Sequence, residues 1–225
     1  VVERLLAQSR FELESIAVTP AAFEALAPKL ESLSCDVLIC ERHVLQDITG
    51  VNFHRGCIAL AHRLPEPDPA SLLGSRRVVA LEGVGNPDNV GGVFRTAAAF
   101  GVDGVLLDEG CADPYYRKAI RTSMAATLHV PWSRAVNWLE ALGRFRERGF
   151  TIVAMSPAPE NTAVEDFSSQ LKGDERLLIM FGSEGPGLSQ ASIRTAHARV
   201  RIPIEPVVDS LNIVVAAGIA LDRLR

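Results

Sequence analysis

Five polar side chains stand in loops that open apolar helices: Asn89 with Arg95, then Glu184, then Ser210 with Asn212. In "NPDNVGGVFRTAAAFG" (86–101), apolar side chains recur at Val90, Val93, Phe94, Ala97 and Ala98. That is the stripe of a helix packed on a sheet, and it leaves Arg95 off the buried face. Asn89 occupies the place of an N-cap and Gly101 that of a helix stop, so capping and a role in a site both account for Asn89. In "FGSEGPGLS" (181–189), three glycines after an apolar run let backbone approach a ligand, and Glu184 is a charge at a strand end. In "RIPIEPVVDSLNIVVAAGIALDRLR", Ser210 suits an N-cap. Asn212, at the start of so apolar a helix, needs partners for its amide if it is buried.

The elements that must hold these loops follow from periodicity. Ahead of them, Thr19 and Pro20 open a helix, "CDVLIC" reads as a buried strand, "ERHVLQDITG" as a helix closed by Gly50 and "GCIALAHR" as a strand. This predicts a small α/β domain over 1–63. It starts inside a helix, as a domain trimmed at its N-terminus does. Pro65, Pro67 and Pro69 mark a linker over 64–76. From 77 to 225 strands and helices alternate: "RRVVALEGV", a helix from Val90, "GVLLDEG", a helix near Tyr115 to Met124, "ATLHVPW", "AVNWLEALGRFRERG", "FTIVAMS", "RLLIMFG", a helix capped by Ser189, "VRIPI" and a final helix from Ser210. Strands that are apolar throughout imply a mostly parallel sheet covered by helices on both faces, with ligands at the strands' carboxyl ends.

The chain has 225 residues, 48% hydrophobic and 22% charged, which is globular composition. Its net charge of −4 weighs against a polyanion partner, although local basic patches matter more than the sum. Cys35, Cys40, Cys57 and Cys111 form no C-x-x-C pair and no metal-like spacing with the five histidines, so the expectation is buried, reduced thiols, no metal and a cytoplasmic setting. No apolar run reaches the roughly 20 residues of a membrane span. "GVGNPD" places Asp88 where a dinucleotide-binding fingerprint needs its third glycine, and no lysine completes a P-loop.

Taken together, N-x-G-x-x-x-R-T-A-x-x-F-G, G-S-E-G-P-G-L-S and I-P-x-x-x-x-x-D-S-L-N resemble the three motifs of the SpoU family of RNA 2′-O-ribose methyltransferases, in the SPOUT superfamily. The resemblance covers about 77–225. The first segment is similar, more loosely, to the ribosomal-protein-like substrate-binding domain of rRNA-modifying members. The resemblance implies S-adenosylmethionine as cofactor, a deep C-terminal trefoil knot, a homodimer and an RNA substrate, with rRNA favoured over tRNA because the simpler tRNA-type members commonly lack a preceding domain. It implies cofactor contacts at Gly182, Ser183, Gly187, Ile202 and Leu211, and a catalytic set of Asn89, Arg95, Glu184, Ser210 and Asn212. A guanidinium stays protonated and is a poor base, so Arg95 is expected to clamp phosphate and stabilise developing alkoxide charge, with general-base action the less favoured alternative.

Arg117, Lys118 and Arg121 share a helical face beside the expected site and are the candidate phosphate contacts. The arginines of "RFRER" read as a solvated face, while Arg42, His43, His54 and Arg55 are further basic residues of the first domain. Three positions depart from the family pattern: Ala125, where glycine is frequent, and Pro206 and Val214, where glycine and serine are. The rival reading is an RNA-binding or regulatory module that keeps the knotted fold without methyl transfer.

Overall fold

The computed structural model describes residues 1–8, 10–31, 33–50 and 56–224. Of the residues raised above, His54 and Arg55 lie outside them. The chain divides into two compact units, Val1–Pro65 and Glu66–Arg225.

The first unit runs α1 (Val2–Leu6), β1 (Leu13–Val18), α2 (Pro20–Leu30), β2 (Asp36–Ile39), α3 (Arg42–Thr49) and β3 (Cys57–Ala61). Thr19 caps α2, its hydroxyl oxygen accepting from the Ala22 amide at 3.4 Å, with Pro20 at the first helical position. α3 closes on Gly50 in the left-handed region, at φ 64°. β1 lies between β2, to which it is parallel, and β3, to which it is antiparallel. Ile16 and Val18 of β1 pack with Leu26 and Leu30 of α2. "CDVLIC" was expected to be buried, but β2 is an edge strand with Leu38 56% and Ile39 53% exposed. A four-residue strand at the end of a three-stranded sheet has a neighbour on one side only, so much of its surface stays uncovered.

The second unit opens with a short 3-10 turn, Pro69–Leu72, inside the proline-rich stretch; its Leu72 is buried in the core. There follow β4 (Arg77–Glu82), α4 (Pro87–Ala99), β5 (Gly104–Asp108), α5 (Arg117–Thr122), β6 (Trp132–Ala135), α6 (Trp138–Glu147), β7 (Phe150–Met155), β8 (Thr162–Ala163), α7 (Val164–Ser168), β9 (Arg176–Gly182), α8 (Gln190–Thr195), β10 (Ala198–Arg201) and α9 (Ile213–Arg223). The strands form one seven-stranded, all-parallel sheet in the order β6-β5-β4-β9-β7-β10-β8.

Alternate side chains of the sheet feed two cores. Val79, Leu81, Val105, Leu107, Ile179 and Phe181 face α4, α7 and α9, while Val78, Ala80, Leu106, Leu178 and Met180 face α6 and α8. Burial on both faces is why these strands read as apolar without interruption. In this parallel sheet the carboxyl ends of β4, β9, β7 and β10 lie side by side, so the loops 83–86, 183–189, 156–161 and 202–212 open on one edge.

The stretch "ATLHVPW", expected as a strand, is instead a 3-10 turn at Ala126–Leu128 leading to β6 only after Pro131. The turn is set up by Met124 and Ala125, at φ 53° and 70°, in the left-handed region. Ala125 is fully buried there and pays a steric penalty that glycine would not. Ala125→Gly is therefore expected to raise stability by roughly 0.5–1 kcal/mol, part of the strain relief being offset by the entropy of the unfolded glycine. Urea denaturation of the two proteins checks this; an unchanged or lower midpoint contradicts it.

Among the described cysteines, Cys111 is buried and Cys35, Cys40 and Cys57 are half-buried, so the expectation of buried thiols holds only for Cys111. Its sulfur accepts from the Val84 amide and donates to the Leu81 carbonyl, and burial pushes the thiol up to about 12. A thiol so protonated is packing, not a nucleophile. No helix among the described residues is long and apolar enough to cross a membrane.

Candidate active site

The first loop differs from its sequence reading. The N-cap of α4 is Asn86, not Asn89: the Asn86 side-chain oxygen accepts from the Asp88 amide at 2.9 Å, and Pro87 takes the first helical position. Pro87 lacks an amide hydrogen and has a helix-compatible φ, so it fixes the start of the helix three residues early. Asn89 is thus relieved of capping and sits 7% exposed inside the first turn, where a polar side chain needs a partner.

That partner comes from the third loop. The cap of α9 is Asn212 rather than Ser210, its side-chain oxygen accepting from the Val214 amide at 2.9 Å. The Asn212 Nδ2 donates to Asn89 Oδ1 at 3.2 Å and to Glu184 Oε1 at 3.0 Å. One amide therefore caps a helix and joins the three loops. Ser210 lies exposed two residues before it and is not part of this bonded set.

The second loop folds back on its own strand. A Cβ on Gly182 would stand 2.1 Å from the Gly187 carbonyl carbon and 2.2 Å from the Leu188 nitrogen, so only glycine fits. Ser183 and Gly187 bridge across the turn, the Gly187 amide donating to the Ser183 carbonyl at 3.0 Å. Gly185 and Gly187 have positive φ, at 85° and 69°. Leu188 anchors the loop in the core, and Glu82, at the end of β4, accepts from the Ser189 amide at 3.1 Å. The result is a rigid turn with exposed backbone over the carboxyl ends of β4 and β9. On the side of β10, Ile202 packs half-buried against the core and Leu211 is half-buried.

Arg95 stands apart from the Asn89–Asn212–Glu184 set. It is exposed, its side chain has neither a hydrogen bond nor an ion pair among the described residues, and it lines an open depression of about 510 Å³ with Asp88, Gly92, Thr96, Thr122, Val214 and Gly218. Arg95 lies six positions after Asn89, which turns them to different sides of α4 and sets them about 9 Å apart along its axis. The depression lies where α9 presses on α4: a Cβ on Gly92 would meet the Val214 side chain at 2.5 Å.

Residues 76–222 match the SpoU rRNA Methylase family. The chain belongs to that family. An uncharacterized tRNA/rRNA methyltransferase of Mycobacterium bovis is 38% identical over 221 residues, 98% of this chain and 76% of that protein. Another, of Synechocystis sp., is 34% identical over 160 residues, 71% of this chain and 55% of that one. Among solved structures, an AdoMet-bound rRNA methyltransferase of Sinorhizobium meliloti has a TM-score of 0.83 at 24% identity, covering 99% of this chain and 83% of that one. An RNA 2′-O ribose methyltransferase has a TM-score of 0.76 at 26% identity, covering 99% and 84%.

In this SpoU-family methyltransferase, the expected phosphate contacts on α5, Arg117, Lys118 and Arg121, are all exposed. The Lys118 Nζ pairs with Asp88 Oδ2 at 2.8 Å, and Thr122 donates to Asp88 Oδ1 at 2.8 Å. The hydrogen bond from Lys118, then that from Thr122, hold the Asp88 carboxyl below the usual carboxylate range. Arg144 of "RFRER" is occupied by Glu140, one turn away, at 2.7 Å. Glu82, Asn86 and Asp88 all shape the site yet escape a reading of the sequence. For Asn86 the signal was present, an asparagine directly before a proline. Glu82 and Asp88 act on partners far along the chain, which no local pattern reveals.

Proposed function

We propose that this protein transfers the methyl group of S-adenosylmethionine to a ribose 2′-hydroxyl of RNA, with rRNA preferred to tRNA. The carrying observation is the pair of bonds by which Asn212 ties Asn89 and Glu184 together at the carboxyl edge of the sheet. The likeness to an RNA 2′-O ribose methyltransferase supports the ribose as acceptor, and the AdoMet-bound relative of the fold supports the cofactor.

The glycine turn fits that cofactor. Its backbone is exposed, its φ angles suit glycine, and no side chain at 185 or 187 stands over it. Gly182, Ser183 and Gly187 would hold the cofactor from one side, and Ile202 and Leu211 from the other. When bound, S-adenosylmethionine supplies an electrophilic methyl group. Glu184, Asn89 and Asn212 orient the ribose, with Ser210 at the rim. Arg95 clamps a phosphate and stabilises negative charge developing on the 2′-oxygen, since a protonated guanidinium donates and does not accept.

Arg95 faces away from the bonded set of its own chain, beside the small residues of α9. This favours a homodimer in which Arg95 completes the site of the partner copy. We further propose a knotted C-terminal part, and RNA binding by the first unit through exposed residues such as Arg42 and His43.

The test is transfer of labelled methyl from S-adenosylmethionine into purified rRNA and tRNA pools. Label in rRNA above tRNA is expected. Label in tRNA alone overturns the rRNA preference. Label in neither, with cofactor bound, shows a binding module without turnover.

A further inference from the structure

Tyr116 is a large aromatic side chain that the fold does not use. The residue is 55% exposed, whereas the neighbouring Tyr115 packs edge-on against Trp132 with centroids 5.1 Å apart. A single exposed ring is ordinary, so its mount and its neighbours decide what it signifies.

The mount is rigid. The Tyr116 amide donates to the Asp113 carbonyl at 3.0 Å, and the Ile120 amide donates to the Tyr116 carbonyl at 3.1 Å. The Tyr115 amide donates to Asp113 Oδ1 at 2.8 Å. Behind it α5 is pressed onto α4 so closely that a Cβ on Gly91 would lie 2.6 Å from the Ala119 carbonyl oxygen. The backbone that carries the ring is therefore already ordered before a ligand covers it.

The neighbours are cationic. Arg117 follows directly and Arg121 lies one turn further, both exposed. Asp88 belongs to the first turn of α4, next to Asn89, so this surface borders the bonded set of the active site. An exposed aromatic ring on a hydrogen-bonded backbone, with exposed arginines next to it and one turn on, matches an unpaired nucleotide, its base stacking on the ring and its phosphates meeting the cations. A duplex keeps its bases stacked inside and offers nothing to the ring.

We propose that Tyr116 is a stacking platform for an unpaired base of the RNA beside the target ribose, with Arg117 and Arg121 on the flanking phosphates. The substrate segment is then single-stranded, a loop or bulge. This rests on the RNA methyl-transfer reading above.

The experiment measures methyl transfer to purified rRNA by the whole chain and by Tyr116→Ala and Tyr116→Phe. It also measures binding of a labelled unpaired RNA oligonucleotide and of the same strand annealed to its complement. Tyr116→Ala is expected to raise KM for RNA about tenfold and to weaken the unpaired strand by a similar factor. It should leave kcat, S-adenosylmethionine binding and duplex binding within about twofold, and Tyr116→Phe should restore KM, because stacking needs the ring and not the hydroxyl. Unchanged KM in Tyr116→Ala overturns the platform while leaving the methyl-transfer reading intact. So does a Phe variant as impaired as Ala, or equal losses for strand and duplex. If the unaltered chain methylates no RNA, the methyl-transfer reading fails and the platform falls with it.

Discussion

Arg95→Ala is expected to lower single-turnover methyl transfer to RNA by about 10²–10³-fold, the cost of removing one donor aimed at developing negative charge. The Arg95 side chain is exposed and makes no hydrogen bond or ion pair among the described residues, so stability should move by less than about 0.5 kcal/mol on its removal. S-adenosylmethionine binding, measured by calorimetry, should stay within about twofold, because the proposed cofactor contacts lie on other loops. Arg95→Lys keeps the charge and loses the two-pronged guanidinium, and so should recover only part of the rate. Mixing Arg95→Ala with a Glu184→Ala protein also tests the dimer: if each site draws Arg95 from the partner, mixed dimers regain one intact site and activity returns. A full rate in Arg95→Ala contradicts both the clamp and the charge-stabilising role.

Gly182→Ala is the second large effect. The new methyl carbon would lie 2.1 Å from the Gly187 carbonyl carbon and 2.2 Å from the Leu188 nitrogen, both backbone atoms that cannot rotate aside. The turn must lift, which breaks the Ser183–Gly187 bridge and withdraws Leu188 from the core. Forced overpacking of this kind costs roughly 1–3 kcal/mol of stability. Cofactor affinity should fall by more than about tenfold, since the backbone that would hold it has moved. Gly185→Ala is the control: nothing lies within 4 Å of its Cβ, so it carries only the strain of φ 85°, worth about 1–2 kcal/mol. A Gly182→Ala protein that binds S-adenosylmethionine as tightly as the parent contradicts the proposed seat of the cofactor.

Periodicity and turn chemistry make the parallel sheet and the three loops legible in the sequence. Val79, Leu81, Leu106 and Ile179 are buried on whichever face they point to, and that double burial is what an unbroken apolar run records. Cap positions were less legible, because a cap is one residue chosen among several similar ones. Asn86 and Asn89 both suit the start of α4, and Pro87 decides between them; Ser210 and Asn212 both suit the start of α9. The same correction sharpened the site, since it freed Asn89 to meet Asn212 and gave Asn212 two duties. Ala125 was visible as a departure from the family pattern, and the structure supplies its meaning, a non-glycine residue at φ 70°. What stayed hidden were pairings across long stretches of chain, such as Glu82 with Ser189, and the direction in which Arg95 faces.

The central claim is that the methyl group goes to a ribose oxygen. Its most direct test is nucleoside analysis of rRNA labelled in the transfer reaction, after alkaline hydrolysis. A 2′-O-methyl group removes the hydroxyl that attacks the neighbouring phosphodiester, so the account predicts label in alkali-resistant dinucleotides and, after full digestion, in one 2′-O-methylated nucleoside. Label recovered on a base, in alkali-sensitive mononucleotides, would contradict it.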